Sequence, residues 1–174
     1  MKKIYTLLTL LMMSVASLSA QENTSGEETK WGVGVRLGGG LELMGRYDGL
    51  GEVAGKPMYL EARLGVNMPF FLPQGTVIAA WNLLQFGESK VGAFTFDVGV
   101  AANAGGSSPK AWWVGVGPAA KLDYTFSKVP ITLALDYTPI ACALSFGFTT
   151  PRSASPQYFP AGLWNAAISC SYNF

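Results

Sequence analysis

The side chains of this 174-residue sequence that could carry out chemistry are mostly charged, because the chain contains no histidine. Without histidine, Ser-His-Asp and Cys-His nucleophiles, imidazole acid-base catalysis and histidine-containing zinc sites are excluded. The carboxylates that could in principle form an acid-base pair are Glu42, Glu61, Asp97, Asp123 and Asp136. Cations that could pair with them instead are Arg36, Arg46, Arg63 and Lys121.

Pairing is the simpler expectation for these two sets of charges. Carboxylates and cations that share an enclosed interior hold each other in place, and removing one partner leaves a buried charge unpaired. The glycine clusters show no phosphate-loop pattern followed by a helix. We therefore predict no catalytic residues, no cofactor and no metal site. The predicted interior charge network consists of Arg36, Glu42, Glu61, Arg63, Asp97, Lys121, Asp123 and Asp136.

Composition allows one domain of ordinary size. The chain is 49% hydrophobic and 13% charged, with a net charge of +1. A disordered chain would be rich in charge and poor in aromatic residues, so disorder is excluded for most of the sequence. Nucleic-acid-binding proteins carry a marked basic patch, and this near-neutral chain offers no such footprint.

The first twenty residues have the layout of a secretory signal peptide. Lys2 and Lys3 precede an apolar run over residues 4–13, and small residues dominate 14–20. A permanent membrane anchor would need about twenty apolar residues, and this run is shorter. The predicted organisation is a signal peptide at 1–20, a flexible periplasmic lead-in at 21–30 and one domain at 31–174.

From Trp31 onward, apolar residues alternate with small or polar ones, which is the pattern of β-strands. The eight predicted strands cover 31–37, 41–47, 60–68, 76–86, 94–101, 114–126, 131–137 and 164–174. In the strand at 76–86 both alternating sets are apolar, so its facing cannot be assigned. Turn residues fill 38–40, 48–57, 69–75, 87–90, 103–109, 127–130 and the long stretch 139–162. Such connections, mostly short, predict an antiparallel meander that closes on itself, with both chain ends at one rim.

The composition of the two faces indicates which one meets lipid. The small-residue face carries charges of both signs mixed with Gly, Ala, Thr, Ser and Asn, which suits the filled interior of an eight-stranded barrel. Large apolar residues on the other face would then contact lipid. Aromatic residues near strand ends, where interfacial girdles belong, are Tyr47, Tyr59, Trp81, Trp112, Tyr124, Phe126, Tyr137, Trp164, Tyr172 and Phe174. The predicted fold is all-β: an eight-stranded antiparallel up-and-down transmembrane β-barrel.

Two segments resemble small Gram-negative outer-membrane β-barrel proteins with a porin-family-like domain. The last strand alternates apolar residues and ends in an aromatic one, like the C-terminal assembly signal of that family: Ile168, Cys170, Tyr172 and Phe174. The stretch 117–139 resembles the family's penultimate hairpin. Pro118 departs from the pattern, because it lies in a strand without a free edge; we expect a bulge there or a later strand start.

The resemblance implies a monomer in the outer membrane, contact with outer-membrane lipid and insertion by the barrel-assembly machinery. The connection at 139–162 is then the expected place for contact outside the cell. The function expected is structural or surface interaction, without catalysis. Two alternatives stay open: a carrier or narrow passage for small hydrophobic molecules, and a secreted soluble β-barrel ligand binder.

Overall fold

The structure is a computed structural model that describes residues 30–67, 72–108, 111–146 and 165–174. The predicted signal peptide, nearly all of the lead-in, and residues 147–164 of the long connection lie outside these ranges. The strands are β1 (Trp31–Leu37), β2 (Gly40–Tyr47), β3 (Glu52–Val53), β4 (Lys56–Asn67), β5 (Leu72–Phe86), β6 (Gly92–Ser108), β7 (Ala111–Phe126), β8 (Ile131–Tyr137), β9 (Cys142–Phe146) and β10 (Ala166–Asn173). Among the described residues, no helix is long and apolar enough to cross a membrane.

The strands form one closed antiparallel sheet. Its order is β2, β1, β10, β8, β7, β6, β5 and β4, and a further pairing of β4 with β2 closes the ring. The short β9 continues the wall position of β8 along β7, and β3 forms a small ladder with β4. This confirms the predicted eight-stranded antiparallel up-and-down barrel.

The first and last described strands meet at one end of the barrel. Trp31 and Phe174 exchange two main-chain hydrogen bonds, with N···O distances of 2.8 and 3.2 Å. We call this end the terminal rim; it also carries the β2–β4, β5–β6 and β7–β8 connections. The opposite end is the far rim.

The strand registers fix the stagger of the barrel. Starting at Gly34, the cross-strand partners followed through β2, β4, β5 and β6 lead to Gly115 on β7. In the other direction, through β10 and β8, they lead to Thr125 on the same strand. The two ends differ by ten residues, or about 33 Å of strand, against about 38 Å for eight strand spacings, so the strands tilt by about 40°. A barrel of this size has an interior that side chains can just fill.

The outer face of the barrel is apolar and the inner face holds the charges. Apart from Glu52 and Lys56 in the β3 hairpin, every charged residue of the described strands points inward. Large apolar side chains exposed on the outer face are Trp31, Leu37, Leu41, Leu43, Leu60, Leu64, Val77, Leu84, Phe86, Phe94, Val100, Trp112, Val116, Leu133, Leu135, Tyr137 and Ile168.

The facing of residues 76–86, left open by the sequence, is set by a bulge. Thr76, Ile78 and Ala80 are buried inside the barrel. The register with β6 shifts between Asn82 and Leu84, so one extra residue changes which positions face outward. Because the parity switches within one strand, no single alternation could describe it.

Several residues predicted as turns belong to strands. Strands β5, β6 and β9 include 72–75, 103–108 and 142–146, and β4 begins at Lys56 instead of 60. Gly105, for example, marks a close approach and not a turn: a Cβ there would lie 3.0 Å from the Trp113 ring.

The bulge expected at Pro118 is present in the ladder beside it, whereas the expectation of a later strand start was wrong, because β7 begins at Ala111. Pro118 lies inside β7, and its register with Val100 on β6 is continuous. The irregularity is in the neighbouring strand position, where residues 138–141 face only 117–119 between the β8 and β9 ladders. This interruption gives proline a place in a closed sheet, because no regular ladder with β8 or β9 is formed beside it.

Candidate functional site

The barrel interior holds one continuous chain of ion pairs. Its first half begins near the far rim, where Arg36 Nη1 lies 2.7 Å from Glu42 Oε2 and Arg36 Nε lies 2.7 Å from Asp136 Oδ1. Asp136 Oδ1 also accepts a 3.1 Å hydrogen bond from Arg63 Nη1. Arg63 Nε in turn donates to Glu61 Oε1 at 2.5 Å. Two arginines therefore share one carboxylate oxygen.

The second half continues toward the terminal rim. Lys121 Nζ donates to Glu61 Oε2 at 2.9 Å and lies 3.7 Å from Asp123 Oδ1. Arg46 then binds Asp123 Oδ2 at 2.8 Å and Asp48 Oδ1 at 2.8 Å. A branch reaches Asp97, whose Oδ2 lies 3.7 Å from Arg46 Nη1. We call this whole set the interior ion chain.

All eight residues of the predicted charge network lie in the interior ion chain, and all eight are buried. The chain links β1, β2, β4, β6, β7 and β8 across the lumen. Strand alternation explains the inward placement, because each charged residue occupies the small-residue parity of its strand. The stagger explains the pairing, since it brings residues distant in sequence to one height.

Neutral polar side chains extend the interior ion chain near the far rim, and a separate polar pair lies near the terminal rim. The Asn165 side chain accepts from Arg36 Nη2 at 2.9 Å and donates to the Thr138 carbonyl at 3.0 Å. Gln74 Nε2 donates to Glu42 Oε1 at 2.6 Å. Near the terminal rim, Asn173 donates to the Thr132 hydroxyl at 3.0 Å. The bulged segment beside Pro118 is thus tied to the charges through Asn165.

Three members of this interior were missing from the predicted network. Arg46 and Asp48 join the ion chain at its terminal-rim end. Tyr59 is buried inside the barrel and not in an aromatic girdle, as had been predicted. The Arg46 guanidinium carbon lies 3.7 Å from the centre of the Tyr59 ring, a cation–π contact. The signal was present in the sequence, because Tyr59 is two residues before Glu61 and therefore shares its inward parity.

The arrangement of charges suits a filler of the lumen. Four carboxylates of the predicted network lie within 2.8 Å of a cation, and the fifth, Asp97, lies 3.7 Å from Arg46 Nη1. Within the described ranges, no group of three or more potential ligand side chains could hold a metal ion. A small cavity of about 10 Å³ remains between Tyr59, Arg63, Asp97 and Asp136.

A second feature, on the outer face, is a groove of about 640 Å³. It follows two cross-strand rows in the far half of the barrel: Ala62, Val77, Ala102, Val116 and Cys142, and beside it Leu64, Gly75, Ala104, Val114 and Leu144. The inner row between them contains Thr76 and Asn103, which are buried, so the open space is on the outer side. We call this the outer groove; its floor is made of small residues.

The four residues of the predicted assembly signal lie along or next to β10. Ile168 and Cys170 are exposed on the outer face, and Tyr172 shares their parity. The rings of Tyr172 and Phe174 are 6.5 Å apart at the terminal rim. The signal therefore occupies the strand that pairs with β1 and closes the barrel.

The chain matches no protein-family model, no curated protein and no solved structure. Its function must therefore be inferred from the surfaces and the interior of the barrel itself.

Proposed function

We propose that this protein is a small outer-membrane β-barrel of the porin-like kind found in Gram-negative bacteria, with a structural or surface-interaction role and no catalytic activity. One observation carries the proposal: the wall presents apolar side chains outward and keeps its charges inside. A soluble barrel has the opposite arrangement, because water must meet its outer face.

The aromatic residues of the outer face support the same proposal. Ring pairs cluster toward the terminal rim: Trp31 with Tyr47 at 4.6 Å between centroids, and Phe94 with Tyr124 at 4.6 Å. Aromatic side chains collect where the hydrocarbon of a bilayer gives way to headgroups. The terminal rim would then lie at one membrane surface.

The proposed route of export and assembly follows from this location. A signal peptide at 1–20 would direct export, and the barrel-assembly machinery would act on the β10 signal. The proposed partners are outer-membrane lipid throughout and that machinery during biogenesis, with the mature barrel a monomer that binds no nucleic acid. The buried interior ion chain supports a plugged lumen in place of an open pore.

Gel migration of protein taken from isolated outer membranes tests the proposal. A closed barrel resists detergent, so boiled and unboiled samples should migrate differently. Identical migration together with recovery in the aqueous phase after detergent phase separation would overturn the proposal and favour a secreted soluble binder. A conductance of porin size in planar bilayers would overturn the plugged lumen alone.

The outer groove favours a second candidate, a carrier of small hydrophobic molecules. Its volume of about 640 Å³ is within the range of ligand sites. Filling its floor with Ala102→Phe and Ala104→Phe should reduce apolar molecules retained through purification. Ala166→Phe, an exposed position on β10 that does not line the groove, is the matched control. Equal retention by all three variants would exclude the groove as the carrier site.

A further inference from the structure

The terminal rim carries a repeated pair of residue types. Lys30 precedes β1, Lys56 follows the β3–β4 turn, Lys90 lies between β5 and β6, and Lys128 lies between β7 and β8. All four are exposed, and none forms an ion pair with another residue in the described part of the chain. We call these four residues the lysine ring.

Each lysine of the ring has an exposed apolar neighbour. Trp31, Val91 and Val129 directly follow Lys30, Lys90 and Lys128, while Val53 faces Lys56 across the β3–β4 ladder. These four apolar side chains are between 45% and 59% exposed. A lysine stem can lie along apolar surface while its ammonium reaches a polar layer. The repeated pairing thus presents an amphipathic edge at each connection of this rim.

The order of residue types along the outer wall matches the layers of a bilayer. Aliphatic side chains cover the wall away from the terminal rim, as at Leu64, Val100 and Leu135. Aromatic pairs follow toward the terminal rim, including Tyr124 with Phe126 at 4.9 Å. The lysine ring comes last, beyond the aromatic pairs, where the headgroup layer would lie if those pairs mark the interface.

Within the described connections of this rim, few acidic residues offset the ring; Glu22, Glu27 and Glu28 precede Lys30 in the sequence, outside the described residues. Asp48 at this rim is already bound to Arg46. Glu52 and Glu88 are the other exposed acids in the described connections, so four lysines against two glutamates leave two positive charges. Basic side chains beside a membrane surface attract anionic lipids. Charge and apolar exposure at this rim therefore point to the same partner.

We propose that the lysine ring binds the phosphate headgroups of anionic phospholipid in the leaflet at the terminal rim, so that the barrel collects an anionic lipid shell there. The inference rests on the proposed membrane location. It adds a lipid class and a side of the membrane.

Spin-labelled lipids can measure this preference. The wild-type protein is reconstituted in phosphatidylcholine vesicles containing labelled phosphatidylglycerol or labelled phosphatidylcholine, and the two association constants are compared. We expect phosphatidylglycerol to be favoured by about threefold at 0.1 M salt. At 1 M salt the ratio should fall toward one, because the Debye length shrinks to about 3 Å.

Two variants separate the lysine ring from other sources of selectivity. K30Q/K56Q/K90Q/K128Q should lower the ratio to near one, whereas the matched control E52Q/E88Q should keep or raise it. An unchanged ratio in the quadruple variant, or a wild-type ratio of one at low salt, overturns the inference. If the quadruple variant does not fold, the salt dependence of the wild type decides.

The membrane proposal is read out separately in the same vesicles. A wild-type barrel that inserts into pure phosphatidylcholine and migrates differently after boiling supports the membrane location whatever its lipid preference. Insertion with a lipid ratio of one overturns the lysine ring alone. Failure of the wild-type protein to insert into the vesicles, whichever labelled lipid they contain, overturns both proposals.

Discussion

Arg36 and Asp136 are a hundred residues apart in the chain, yet Arg36 Nε donates to Asp136 Oδ1 at 2.7 Å inside the barrel. Arg36 is on β1 and Asp136 on β8, with β10 between them in the sheet. The bond therefore spans the lumen side of a neighbouring strand. It places two of the predicted charges at one height of the closed barrel.

Arg63→Leu should destabilise the barrel by about 3 to 5 kcal/mol, because it leaves buried carboxylates with one cation fewer. Glu61 would keep only Lys121, and Asp136 only Arg36. Unfolding in urea, followed by tryptophan fluorescence of the micelle-bound protein, measures the change. Lys90→Leu, at an exposed lysine, should change stability by less than about 0.5 kcal/mol. Equal midpoints for the two variants would contradict a structural role for the interior ion chain.

Asp136→Asn and Asp97→Asn make the same chemical change at two buried carboxylates, and we expect different results. Asp136 accepts from two arginines at 2.7 and 3.1 Å, so its neutralisation should cost about 3 kcal/mol or more. Asp97 has its one ion pair within the described residues at 3.7 Å, so neutralising it also relieves the desolvation cost of a weakly paired buried charge, and the loss should stay below about 1 kcal/mol. The difference in the free energy of unfolding checks this order. A larger loss of unfolding free energy for Asp97→Asn than for Asp136→Asn would contradict the view that the two short ion pairs of Asp136 contribute more to stability.

Tyr59 should contribute to stability through its ring. Tyr59→Leu removes the aromatic face under the Arg46 guanidinium, 3.7 Å from the ring centroid, whereas Tyr59→Phe keeps it. We expect the leucine variant to be less stable than the phenylalanine variant by about 1 to 2 kcal/mol. Thermal loss of the unboiled gel band compares them. Equal melting of the two variants would mean that the cation–π contact contributes nothing measurable.

Gly117→Ala tests the bulge at residues 138–141, which lie beside Gly117 and Pro118 in the sheet. A Cβ at Gly117 would overlap the carbonyl oxygen of Pro139, so the bulge must shift, at a cost of about 1 to 3 kcal/mol. Gly45→Ala is the matched control, because its Cβ would meet no atom within 4 Å. The temperature at which the folded gel band disappears measures both variants. If Gly117→Ala melts with the wild type, residues 138–141 are free to move away from β7.

The inward placement of the charges was predictable from sequence, and their partners were not. Glu61 and Arg63 show their shared face by spacing alone, since alternate residues of a strand point the same way. That Arg63 also reaches Asp136 depends on the ten-residue stagger of the barrel, which no local pattern contains. Only the closed barrel brings residues as distant in sequence as Arg63 and Asp136 within hydrogen-bonding distance.

Local signals misled where a residue type has two uses. Gly105 is a residue type common in turns, but here it makes room for the Trp113 ring inside a long strand. Tyrosine is common at membrane interfaces, but Tyr59 occupies an inward-facing position of its strand and contacts Arg46. For Tyr59, strand alternation was a better guide than residue preference, because alternation follows backbone geometry directly; the stretch 103–108 has no alternation that could have placed Gly105 in a strand.

The pairing of β1 with β10 also has a consequence in time. Contacts between the two ends of a chain form late in folding, because the entropy of closing so large a loop opposes them. Until that contact forms, Arg36 and Arg63 have no fixed approach to Asp136, and two strand edges stand open. Lipid disfavours both unpaired charges and open edges. In the proposed membrane location, closing the ring and entering the bilayer should therefore occur as one step, so that half-inserted sheets are scarce during assembly.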